Sequence, residues 1–141
     1  MRTRHTKIQG FGRRFALGLV VLAGASTWSG CGGSAPDPDA SREIAAKFLE
    51  EIRAGRVAAA WEGTSTEFKS LLGREGLVAY VRAHPTLKEK APADFVSFNT
   101  AERNGIPLGE CAFRTSSRKS AVKVLLARAD GAWKIERLTV E

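Results

Sequence analysis

From Ile44 to Ile52 the apolar residues Ile44, Ala45, Phe48, Leu49 and Ile52 recur every third or fourth position, whereas from Ala93 onward they recur at every second one. The first spacing lays a stripe along one side of a helix, and the second lays a face along a strand. Past residue 40 the chain therefore reads as helices first and sheet afterwards. This predicts an α+β domain over residues 41–141, with N-terminal helices packed on one face of a curved four-stranded antiparallel sheet.

Ser41 is the expected cap of a first helix that runs to about Ala54 and ends at Gly55. A short helix with Val57, Ala60 and Trp61 on one side follows it. Thr64-Ser65-Thr66-Glu67 reads as a capping box led by Thr64, and the helix it opens is expected to turn Phe68, Leu71 and Leu72 inward. Gly73 breaks the pattern before a further helix from about Glu75 to Ala83, which presents Leu77, Val78 and Val81. Pro85 prevents its continuation.

Asn104-Gly105 and Asp130-Gly131 are two-residue hairpin turns, and they fix a register that can be checked for consistency. With Arg103 opposite Ile106, Phe98 meets Cys111 and Val96 meets Phe113. With Thr115 opposite Ser120, Phe113 meets Val122 and Cys111 meets Val124. The second turn sets Leu126 against Ile135. One face then stays apolar across all four strands, except that Leu138 and Val140 fall on the wrong parity, which predicts a β-bulge near Glu136 or Arg137. Phe95, Ala112, Leu125 and Ala127 are expected on the opposite, outward face.

The first forty residues follow neither period. Residues 1–14 are basic, Phe15 to Ala25 are apolar, and Ser26 to Gly30 are small apart from Trp28, the three-part pattern of an export signal over residues 1–30. As a helix, that apolar run spans ~16 Å, about half of the hydrocarbon thickness of a bilayer. Gly32, Gly33, Ser34, Pro36 and Pro38 suit a flexible tether over residues 31–40. The formal charge of +7 belongs to the leader: five of the 22 basic residues precede Cys31 with no acid among them, which leaves 17 against 15. Nucleic acid is accordingly not an expected partner of the folded part.

Ser29, Gly30 and Cys31 resemble the cleavage site of bacterial lipoprotein signals, although Trp28 stands where such signals usually carry leucine. The resemblance implies lipidation of Cys31, a membrane partner through that anchor, and a place on the periplasmic face of the cell envelope. Several acyl chains on one cysteine would hold the domain firmly, at about 0.8 kcal/mol per buried methylene.

The pieces AAKFLEEIRAGRVAAAW, TSTEFKSLL, LVAYVRAHPTL and VLLARADGAWKIERLTV are similar to those of the nuclear transport factor 2-like superfamily, and most of all to its small exported bacterial members. The resemblance implies a cone of curved sheet wrapped on helices, and sheets that often pair face to face as homodimers. It carries no catalytic signature. Some enzymes of the superfamily do acid–base chemistry in the cone, which makes Tyr80 and His84 candidate ligand-binding residues at its rim. No metal-ligand spacing, phosphate loop or cofactor motif is present in the sequence, and no catalytic set is assigned. Cys111 reads as a sealed apolar filler rather than a nucleophile. The expectation is a non-enzymatic binding domain whose partner is an envelope protein, a second copy or a small ligand; the alternative is a small-molecule binder or acid–base enzyme using Tyr80 and His84.

Overall fold

The computed structural model describes residues 35–117 and 120–141. The leader and Cys31 lie outside these residues. Four helices, α1 (Pro38–Arg53), α2 (Val57–Glu62), α3 (Thr66–Leu71) and α4 (Arg74–Ala83), are followed by a short 3-10 turn at Pro85–Lys88. Four strands come next: β1 (Asp94–Arg103), β2 (Ile106–Arg114), β3 (Ala121–Ala129) and β4 (Ala132–Val140). The strands form an antiparallel meander in the order β1-β2-β3-β4. The fold is α+β, with the helices against one face of the sheet.

The expected register is present except at the start of β1. Phe98, Cys111, Val124 and Leu138 form one rung across the four strands, and Thr100, Gly109, Leu126 and Ile135 form another. Asn104, Gly105, Asp130 and Gly131 all have positive φ, the conformation of the tight hairpin turns that match strand twist. Arg137 pairs with Leu125 and Ile135 with Leu126, so Glu136 is the extra residue of the expected bulge. It returns Leu138 and Val140 to the helix side. On that side Phe48, Ile52, Phe68, Leu77 and Val81 close over Phe113, Val122 and Leu126 as one buried core.

The helices are also joined to the edge of the sheet through the backbone. Between α2 and α3, Thr64 bridges to Ile135, and the Ser65 N–H donates to the Ile135 carbonyl at 2.9 Å. Both Thr64 and Ser65 are buried. The bulge thus sits beside the point where helical layer and edge strand are stitched together.

Several local expectations are corrected. The cap of α1 is Asp37, whose carboxylate accepts the N–H groups of Asp39 at 2.8 Å and Ala40 at 3.1 Å. Pro38, lacking an N–H, is well suited to the first helical position, so the helix starts three residues before Ser41. Ser41 is instead a buried helical residue whose hydroxyl has no partner. The cap of α3 is Ser65, which accepts the Phe68 N–H, while the Thr64 hydroxyl donates to the Trp61 carbonyl. Leu71, at the last position of a six-residue helix, is 60% exposed rather than inward.

A second bulge, which the turn signals do not reveal, sets Phe95 and not Val96 opposite Phe113. Val96 becomes the extra residue and is exposed. Phe95 therefore lies on the helix side, its ring edge-on to Phe113 at 5.7 Å and beneath the Arg42 guanidinium. Ala127 does point outward by register, but it is buried there.

Truncating Leu126, which has no exposed surface, to alanine should cost about 3–4 kcal/mol by urea unfolding, the range for a cavity in a packed core. Leu71→Ala should stay within about 0.5 kcal/mol, since that side chain is already in water.

Candidate functional site

Tyr80 and His84 stand one turn apart at the end of α4, with ring centroids 4.2 Å apart. Each has a structural partner. The Tyr80 hydroxyl accepts the Val140 N–H at 3.1 Å, which ties the last turn of α4 to the end of β4. The His84 Nδ1 lies 2.9 Å from the Tyr80 carbonyl, a bond that requires the ring proton on Nδ1. The structure brings the two residues together at the end of α4, and of the two only Tyr80 bonds to the sheet.

Two hollows are lined by other residues. The larger, about 260 Å³, lies between α1 and α2, with Ile44, Phe48, Ala60 and Ile135 as its apolar walls and Lys47 and Glu51 beside them. The smaller, about 100 Å³, lies between the C-terminal half of α1 and the segment after the 3-10 turn, and is closed by Phe113 and Val122. Both fall below the ~300 Å³ at which pockets for drug-sized molecules begin, and the smaller has room for only about three waters. Thr86 lines the smaller hollow, and its hydroxyl is buried without a partner. Tyr80 and His84 line neither. Next to the smaller hollow, Glu89 accepts the Ser116 hydroxyl and the Ser117 N–H, and the Ser116 bond holds its carboxyl below the ordinary carboxylate range.

Cys111 is fully buried at the centre of the sheet. Burial pushes its thiol up to about 11, with the charge of Glu110 adding to the effect. The thiol is protonated at neutral pH, so Cys111 lacks the thiolate that nucleophilic attack requires.

One buried charge went unread in the sequence. Glu136, the bulge residue of β4, is 4% exposed and paired with Arg103 of β1. These are the two edge strands, so the ion pair spans the outward face. Leu108 and Ala127, on the strands between them, are buried on that face. The alternation of β4 marks the bulge but not the partner, because Arg103 comes within reach only through the twist of the intervening strands. Among the described residues no cluster of three or more histidine, cysteine, aspartate or glutamate side chains is placed to hold a metal. Comparison with protein-family models, with curated proteins and with solved structures found no match to this chain.

Arg103→Ala leaves the Glu136 carboxylate buried and unpaired and should destabilise by about 2–3 kcal/mol in urea. Arg56→Ala removes a surface partner of Glu51 and should change stability by no more than about 1 kcal/mol. For Cys111, a folded-state pKa above the unfolded one means that the unfolded chain loses its proton first. Its contribution to stability is therefore present below about pH 9 and lost as the pH rises toward 11, which a Cys111→Ala comparison by alkaline unfolding will read.

Proposed function

We propose that this protein is an exported, lipid-anchored, non-enzymatic binding domain of the cell envelope, built as a nuclear transport factor 2-like cone. The observation that carries the binding reading is the use of the interior. Phe48, Phe68 and Phe113 are buried in the core with Trp61 and Phe98 packed against it, the Tyr80 hydroxyl is engaged by β4, and the His84 Nδ1 is engaged by the Tyr80 carbonyl at the end of α4. A side of the molecule given to packing leaves recognition to its surface. Export and anchoring are supported by the basic and apolar leader and by Cys31 after Ser29 and Gly30. No helix among the described residues is long and apolar enough to cross a membrane.

The partner in this reading is an envelope protein or a second copy meeting the outward sheet face. That face presents exposed Ile106 at its turn end, with Leu125, Ala112 and the Arg103–Glu136 pair elsewhere on it. The small-molecule alternative is favoured by one feature, the hollow of about 260 Å³ between α1 and α2. It would place the ligand there rather than at Tyr80 and His84.

Cys31→Ala should move the protein from the membrane fraction to the soluble fraction of bacteria expressing the full chain, and should abolish incorporation of labelled palmitate. Unchanged membrane association and labelling would overturn the anchored reading.

A further inference from the structure

The chain between Cys31 and the first helix is not free along its whole length. Pro36 is buried, and it lies against Gly109 on the helix side of β2. A Cβ built on Gly109 would sit 3.2 Å from the Pro36 Cβ and 2.9 Å from Cε2 of Phe98. The absence of a side chain at Gly109 therefore makes a notch, bounded by Phe98, into which Pro36 fits. Asp37 and Pro38 follow immediately as the cap and first residue of α1, so the chain is fixed from Pro36 onward.

The direction in which it emerges follows from the topology. In a meander the β1–β2 and β3–β4 turns close one end of the sheet, and the β2–β3 connection closes the other. The last turns of α1, with Leu49, Glu50 and Arg53, share the smaller hollow with Phe113, Thr115 and Val122, at the β2–β3 end. The helix therefore runs away from the Asn104–Gly105 and Asp130–Gly131 turns, and its N-terminus lies on the side of those turns. Gly109 is the fourth residue of β2, three residues (~10 Å) from its Ile106 end and five (~17 Å) from its Arg114 end, and the five residues from Pro36 back to Cys31 reach at most ~17 Å. A chain this short, held at Pro36, reaches the turn end of the sheet easily and the far end of β2 only at full stretch.

We infer that Pro36, seated in the Gly109 notch, is a latch that fixes how the domain stands on the bilayer, with the Asn104–Gly105 and Asp130–Gly131 turns toward the lipid surface and the β2–β3 end away from it. The inference rests on the lipid-anchored reading above. The turn end suits that contact: Ile106 beside the first turn is 45% exposed. The opposite end holds the smaller hollow, Glu89 and the Ser116–Ser117 turn, and points away from the bilayer.

Two single-cysteine labels test this in the full, processed chain reconstituted into phosphatidylcholine vesicles that carry a headgroup quencher. Glu102→Cys reports the turn end and Ser117→Cys the far end; both positions are exposed. Cys111 is buried, and an acylated Cys31 offers no thiol, so the parent protein should take up no dye. Dye uptake at Cys31 in the parent would overturn the anchored reading itself. With uptake absent, quenching at position 102 should exceed that at position 117 several-fold, and equal quenching would overturn the orientation. Pro36→Gly, which empties the notch without touching the sheet, should bring the two values together; Gly109→Ala, which fills the notch, should do the same. A difference that survives in Pro36→Gly would show that Pro36 is not the latch.

Discussion

The structure depends on one constraint: the apolar sides of four strands must fall on the same face of the sheet. The rung from Phe98 through Cys111 and Val124 to Leu138, and its neighbour from Phe95 through Phe113 and Val122 to Val140, are continuous only in one register. A slip of one residue in any strand would turn its whole apolar set to water, at about 1.5–3 kcal/mol for each large side chain. Two hairpins whose central residues all have positive φ prevent that slip at one end of the sheet. Between Thr115 and Ser120, a bond from the Thr115 N–H to the Ser120 carbonyl continues the ladder at the other end.

The bulges are what allow a regular register to serve an irregular molecule. At Glu136 the extra residue restores Leu138 and Val140 to the core and puts a carboxylate on the outward face, where Arg103 meets it from the far edge. The residue just before it, Ile135, accepts the Ser65 N–H, so the same stretch of β4 holds the helical layer. At Val96 the second bulge brings Phe95 under Arg42 of α1. Core, helix docking and outer-face polarity thus meet at two local departures from strand geometry.

The polar groups of the helical side follow from this arrangement. Tyr80, His84, Thr64 and Ser65 all hold backbone to backbone, and the interior between them is filled by aromatic and aliphatic side chains. Pro36 in the Gly109 notch belongs to the same packing, and it fixes the chain to the inner face of the sheet before α1 begins.

The order of helices and strands, the two hairpins, most pairings and the bulge at Glu136 were legible in the sequence, because alternation and turn chemistry act between neighbours in the chain. The sealed position of Cys111 was legible for the same reason. The local signals competed where they were misread. Ser41 and Thr64 are the caps expected for α1 and α3, whereas the side chains of Asp37 and Ser65 accept the first free N–H groups of those helices. The Phe95–Val96 bulge, the Arg103–Glu136 pair, the engagement of the Tyr80 hydroxyl by Val140 and the Pro36 notch lay beyond the sequence altogether. Each joins residues distant in the chain, and their approach is set by twist, strand curvature and the space left where Gly109 has no side chain.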